Sequence, residues 1–270
     1  MEEWKDATDP SRPSSRHPAD PSWRADALGR SQHGRLADEL REPLEDIDPK
    51  RAEIVCAEVA RAALGDYAPG FILLSAPRRR RAQALAAWTV ALFDLARRPG
   101  LAGLDGDRLA QINAWEFRTE EALDGNPPGQ PLFARMSEEE KAQGWPREAL
   151  SAIMAAARKE VFCDPLSADS LSDLSRSILT ALLEDRDAAP EAASDAARAL
   201  TPLLATALEH NSATQPPRNI DSRTAPNAAP PGWRRAASYA KRVTRARLAG
   251  KQVALGARVR MLVAAWLWPR

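Results

Sequence analysis

The chain has 270 residues, of which 44% are hydrophobic and 28% charged, and its formal net charge is +1. This composition supports a packed core and excludes a wholly disordered chain, and the length allows one or two domains. The two cysteines, Cys56 and Cys163, stand far apart and belong to no CxxC or His/Cys cluster. A reducing compartment is therefore favoured over a disulfide framework.

The N-terminal segment MEEWKDATDP is acidic and has no apolar run, so it matches neither a secretory signal nor a transit peptide. No window of 18 apolar residues is present, and a membrane-spanning helix is not expected. The expected location is cytoplasmic, peripheral on the inner face of a membrane if the basic tail docks there, and not secreted.

Composition divides the chain into four regions. Residues 1–50 form an acidic, Pro-rich arm that is expected to be disordered, and residues 51–210 are helical in pattern. Residues 211–231 are a linker rich in Pro and Ala. Residues 232–270 form a basic, amphipathic helical tail.

Alanine, leucine and arginine dominate the helical region, while β-branched and aromatic residues are sparse, which predicts an all-α domain. Apolar spacing and the placement of Gly and Pro predict helices over 53–64, 78–98, 107–123, 131–142, 146–162, 169–184 and 190–209, with a short apolar turn over 67–75 and an interruption of the last helix near Pro202.

Several short motifs recur in a consistent order along this region. They are Tyr67-x-x-x-Phe71 with Leu74, Pro77 and Arg81, the helix 84–99, Asn113-Ala114-Trp115, the stretch 122–127, Pro131-Leu132 and the segment 169–176. In this order they resemble the squalene and phytoene synthases, the head-to-head prenyl synthases. The resemblance implies a single isoprenoid-synthase-like helical bundle, truncated after His210, with a central cavity. The candidate cavity residues are Tyr67, Phe71, Trp88, Leu92, Leu174 and Ile178.

In that family, activity needs two acidic motifs whose carboxylates hold Mg²⁺ against the substrate diphosphate. Here the positions that match the first motif are Phe93, Asp94 and Arg97, and Leu208 stands where the second motif begins. Residues 93 and 97 share a helical face, and position 94 is turned about 100° away from it. Both motifs are therefore degenerate, and we expect no catalytic residue, no metal site and no cofactor.

The tail differs in charge from the rest of the chain. No Asp or Glu follows Asp221, whereas 11 Lys and Arg do. Three interpretations of the tail are open. It packs on the acidic body, it docks on an anionic membrane surface or a protein partner, or it binds nucleic acid. Nucleic-acid binding is not expected, because no groove-reading motif is present. The candidate contact residues are Arg242, Arg245, Lys251, Arg258, Trp266 and Trp268.

Three hypotheses about function follow. The first is a pseudoenzyme that works by binding, as an assembly factor or a binder of a prenyl or other lipid chain; degenerate family members that assemble respiratory complex I are the analogy. The second is a divergent prenyl, squalene or phytoene synthase that uses prenyl diphosphates and Mg²⁺, with Asp94 helped by Glu116 or Glu120. The third is a scaffold of unrelated ancestry.

Overall fold

The described residues in a computed structural model of the chain are 48–97, 105–162, 168–183, 197, 201, 231–249 and 255–267. The helices within these ranges are α1 (Pro49–Leu64), a 3-10 helix (Gly65–Leu73), α2 (Ala76–Arg97), α3 (Asp105–Leu123), α4 (Pro131–Gln143), α5 (Arg147–Phe162), α6 (Ala168–Leu183), α7 (Pro231–Leu248) and α8 (Leu255–Leu267). No strand occurs in them, and the all-α prediction is confirmed. Outside the described residues lie positions 1–47 of the predicted arm, positions 211–230 of the predicted linker and, apart from 197 and 201, the predicted helix over 190–209. Residues 49 and 50, at the end of the predicted arm, belong to α1, and residue 231 of the predicted linker begins α7.

Local signals set the helix ends. The Asp48 carboxylate accepts a hydrogen bond from the Lys50 N–H at 2.9 Å, and Pro49 occupies the first turn, so α1 begins before the predicted residue 53. Gly65 ends α1 with a φ of 51° and gives its N–H to the Arg61 carbonyl. α2 likewise begins at Ala76 rather than 78, because Pro77 is tolerated in the first turn of a helix.

Helix α2 is the centre of the body and packs against α1, α3, α4, α5 and α6. Its apolar stripe, whose members recur at three- and four-residue spacing as the sequence predicts, is buried in the main hydrophobic core: Leu85, Trp88, Leu92 and Leu95. Ala84, Ala87 and Ala91 of the same helix are also fully buried, and these small side chains let neighbouring helices approach closely.

The described part of the tail folds back on the body. α7 packs against the 3-10 helix, and α8 packs against both. A Cβ on Gly70 would lie 3.0 Å from the Tyr239 ring, and one on Gly232 would lie 3.3 Å from the Leu73 carbonyl oxygen, so two glycines permit this close approach. The sequence alone suggested that the family's next helices are missing after His210, whereas two helices that follow the linker pack on the bundle.

Within the described ranges, each helix is too short or too polar to cross a bilayer.

Candidate functional site

The positions that the resemblance matches to the first acidic motif lie at the C-terminal end of α2. Phe93 is 7% exposed and belongs to the main core cluster, while the neighbouring Asp94 is half-buried. The backbone of Arg97 ends the helix, and its side chain is outside the described set, as is Leu208 of the second motif. The position at which the resemblance places a metal-binding acid is therefore held by an aromatic ring packed in the core.

The candidate cavity residues do not form one lining. Trp88, Leu92, Leu174 and Ile178 belong to or pack against the main core, whereas Phe71 packs against a second cluster that joins α6 to α7. Tyr67 lies in a third cluster, with Tyr239 and Val243 of α7. The structure thus separates these six residues into three packing regions.

Trp88 has a polar partner as well as apolar neighbours. Its indole Nε1–H donates to the Thr119 hydroxyl at 3.1 Å, and that hydroxyl donates to the Trp115 carbonyl at 2.7 Å. Both bonds are buried, so they hold α2 and α3 in register.

Arg81 is the most buried charged side chain of the described residues, at 1% exposure. Its Nε and Nη2 donate to the Ala181 carbonyl at 3.1 and 2.8 Å, and its Nη1 donates to the Gly144 carbonyl at 2.6 Å. The guanidinium also lies 4.1 Å from the centre of the Trp145 ring. One cation therefore satisfies carbonyls at the C-terminal ends of α6 and α4, where a positive charge is favourable.

Arg81 is the last residue of a run of four arginines, Arg78–Arg79–Arg80–Arg81, near the start of α2. A basic run at a helix start could bind phosphate or remain solvated. The guanidinium of Arg81 is committed to main-chain carbonyls and to an aromatic face, and the other three arginines are only half-buried. At Arg81 the resemblance to the synthase motif marks a residue with a structural role.

A second buried cation lies on α4. Arg135 forms ion pairs with Glu138 and Glu139, four residues or fewer along the same helix. Burial raises the pKa of Glu139 above its usual range, and the Arg135 guanidinium opposes that rise. The neighbouring Cys56 thiol of α1 is fully buried, and burial raises its pKa to about 12. It is therefore a poor nucleophile and not a reactive centre.

The other candidate acids are either paired or exposed. Glu116 of α3 forms an ion pair with Arg158 of α5, and Glu140 accepts a hydrogen bond from the Trp145 main-chain N–H at 2.6 Å. Glu120 is exposed on α3. In the part of the chain that the structure describes, no three His, Cys, Asp or Glu side chains gather as a metal-binding group. At the first motif the Phe93 ring offers the hard cation Mg²⁺ no oxygen ligand, which leaves Asp94 as the only described side chain there that could supply one.

The tail residues take different positions. Arg258 of α8 forms an ion pair with Asp66 of the 3-10 helix, Arg242 is half-buried, and Arg245 is exposed. The side chain of Trp266 lies outside the described set, as do Lys251 and Trp268 entirely.

Sequence reasoning missed the residues that dock α7. Tyr239 donates its hydroxyl hydrogen to the Asp66 carbonyl at 2.8 Å, and the hydroxyls of Thr244 and Tyr67 are 3.1 Å apart. The only sequence signal for them was the apolar spacing of Trp233, Tyr239 and Val243, which shows that one face of α7 is buried but not against what.

These features define an all-α bundle of the isoprenoid synthase fold. Among solved structures, a dehydrosqualene synthase in complex with a ligand is similar, with a TM-score of 0.57 and 14% sequence identity over 82% of this chain and 99% of that chain. At this identity the likeness shows the fold alone. The match covers a larger share of the chain than residues 51–210 make up, so it extends beyond these residues. No protein-family model and no curated protein matches the sequence.

Proposed function

We propose that this protein is a catalytically degenerate relative of the squalene and phytoene synthases that acts by binding rather than by turnover. The observation that carries the proposal is the burial of Phe93 in the main core, at the position where the synthases have an acid of their first Asp-rich motif. Fold alone does not determine activity, so the argument depends on this position and its surroundings.

The physical reason is electrostatic. A diphosphate is held in such enzymes through Mg²⁺, whose octahedral shell consists of protein carboxylate oxygens, phosphate oxygens and waters. Phe93 supplies none, and replacing its ring by a carboxylate would bury a charge among apolar side chains, which costs several kcal/mol. The core around α2 is therefore built for packing rather than for a charged metal site.

The other polar groups support the same conclusion. Arg81 is bound to the main-chain carbonyls of Ala181 and Gly144, and Glu116 is paired with Arg158. Each of these side chains would have to leave its partner before it could contact a substrate. The polar residues of the bundle thus hold helices together.

The binding role that fits best is that of a peripheral membrane protein on an inner membrane face, acting as an assembly factor or a lipid binder. The degenerate family members that assist assembly of respiratory complex I are the analogy. The basic segment after Asp221 supports this role, because anionic lipid or an acidic partner would attract it.

A turnover assay tests the proposal. Purified full-length protein is incubated with Mg²⁺ and farnesyl or geranylgeranyl diphosphate, with an active dehydrosqualene synthase in parallel. We expect no product above a heat-inactivated control and no Mg²⁺-dependent change in Tm. Product that disappears in Asp94→Asn but not in Asp107→Asn, the same change at a half-buried acid of α3, would show that the protein is a divergent synthase.

A further inference from the structure

Helix α8 has two different faces. Its inner face carries Ala257, Met261 and Leu262, which pack against the cluster around Tyr239. Its outer face carries Val259 and Val263, which are 52% and 53% exposed. These two valines are one turn apart, so they form an apolar stripe that the body does not cover.

Further exposed apolar side chains lie on elements that are connected to α8 through contacts. Ile72 is exposed on the 3-10 helix, which α8 contacts, and Ile54 is exposed on α1, which contacts the 3-10 helix. Four of the six large exposed hydrophobic residues in the described ranges thus lie on three elements that contact each other in series. The other two, Phe117 and Phe162, lie on α3 and α5.

The charged side chains of α7 and α8 are all positive. Arg260 is exposed next to Val259, and Arg245 is exposed on α7, to which α8 packs. All 11 charged side chains after Asp221 are cationic. The one basic residue of α8 that pairs with an acid of the body, Arg258, lies towards the 3-10 helix and not on the valine stripe.

We infer that the outer face of α8 docks on an anionic phospholipid bilayer, with the helix axis parallel to the membrane plane; this inference deepens the proposed function by naming the surface and the partner. Val259 and Val263 enter the boundary between headgroups and acyl chains, while Arg245 and Arg260 contact lipid phosphates.

The geometry excludes the other orientation. A helix of 13 residues is about 20 Å long, whereas the hydrocarbon core of a bilayer is about 30 Å thick. Because the inner face of α8 is packed on α7 and on the 3-10 helix, only its outer face can meet lipid without unfolding this part of the body.

A bilayer fits this face better than nucleic acid does. A phosphate backbone would use the arginines and leave the valine stripe in water, whereas a membrane interface takes up both. The sequence continues after the stripe with Trp266 and Trp268, and tryptophan is the residue type enriched at membrane interfaces.

Vesicle flotation with the full-length chain tests the inference. The vesicles consist of phosphatidylcholine alone or of phosphatidylcholine with phosphatidylglycerol, at low salt. We expect binding to the anionic vesicles only. Val259→Ser/Val263→Ser should weaken it about tenfold or more, and Arg245→Gln and Arg260→Gln should each weaken it about fivefold.

Matched control variants distinguish binding through this face from nonspecific hydrophobic adsorption and from nonspecific electrostatic attraction. Phe117→Ser/Phe162→Ser removes two equally exposed apolar side chains, at 61% and 64% exposure, from α3 and α5. Lys141→Gln/Lys159→Gln removes two exposed positive charges from α4 and α5. Both controls should bind as the unaltered protein does, and circular dichroism should show the same helicity for every variant.

Three results would overturn the inference: no flotation of the unaltered protein at low salt, equal binding to neutral vesicles, or unchanged binding of the valine variant. A dimer that the valine substitutions convert to a monomer, without any vesicle binding, would assign the face to a second copy of the chain instead. None of these results depends on catalysis, so they are distinct from the turnover that would contradict the proposed function.

Discussion

Tyr239 and Asp66 are 173 residues apart in sequence, and the hydroxyl of Tyr239 donates a hydrogen bond to the main-chain carbonyl of Asp66 at 2.8 Å. The side chain of the same Asp66 forms an ion pair with Arg258. The 3-10 helix is therefore the surface on which both described tail helices are fixed, and a basic segment that the sequence separates by a linker is part of the folded body.

A substitution at Gly70 tests how closely α7 approaches the 3-10 helix. Gly70→Ala places a Cβ 3.0 Å from the Tyr239 ring, so the ring or the helix must shift, and we expect the free energy of unfolding to fall by about 1–3 kcal/mol. Urea denaturation measures it. Gly106→Ala in α3 is the matched control, because its Cβ would meet open space, and stability there should be unchanged or slightly higher. Equal effects of the two substitutions would contradict the close contact.

Substitutions at Arg81 test whether this residue, which belongs to the motif on which the resemblance rests, has a structural role. Arg81→Met leaves the Ala181 and Gly144 carbonyls without their donor, so we expect a loss of about 3–5 kcal/mol in the free energy of unfolding. Arg81→Lys keeps the charge but not the planar fork, and it should recover only part of the loss. The control is Arg79→Met, a half-buried arginine two positions away, which should change stability by less than about 0.5 kcal/mol. A small effect at Arg81 would mean that it is not a structural residue.

The reactivity of Cys56 tests whether the core around α1 and α4 excludes a thiol reagent. In a Cys163→Ser background Cys56 is the only thiol of the chain, and its pKa of about 12 together with its burial should prevent reaction with an aromatic disulfide reagent in the native state. One thiol should become reactive after denaturation. Reaction of native protein within minutes would show that this region opens.

Alkaline pH should weaken the fold. Burial raises the pKa of Tyr239 from 10 to about 12 and that of Cys56 from 9 to about 12. The unfolded chain therefore releases these protons at lower pH than the folded chain does, so the free energy of unfolding should decrease as pH rises from about 9 towards 12.

Denaturation curves at several alkaline pH values measure this dependence. Tyr239→Phe removes one of the two ionisations and should flatten the decrease, although its stability at neutral pH falls by about 1 kcal/mol with the lost hydrogen bond to Asp66. A parallel decrease in the variant and the unaltered protein would show that Tyr239 does not contribute.

Much of the fold could be predicted because helix formation depends on local patterns. The stripe of Leu85, Trp88, Leu92 and Leu95 correctly predicted the buried face of α2, and Gly and Pro marked the helix ends to within a few residues. The residue types at the positions that the resemblance matches to the first acidic motif are equally local information, because Phe93 and Asp94 can be read directly from the sequence. The burial of Phe93 in the core could not be predicted, because a ring beside a cavity and a ring in a packed core occupy the same position in the apolar pattern of a helix.

The sequence by itself determined the all-α class, most of the helices between residues 49 and 183, and the separation of charge at Asp221. It also places Phe93, Asp94 and Arg97 at the positions that the resemblance matches to the first acidic motif. Only the tertiary structure decided which of four consecutive arginines is buried, and against which helix the tail packs. The reason is physical: helical periodicity and charge depend on neighbours along the chain. The partners of Arg81 and Tyr239 are main-chain carbonyls of residues that are distant in sequence. Because every residue has such a carbonyl, the sequence does not indicate which one is the partner.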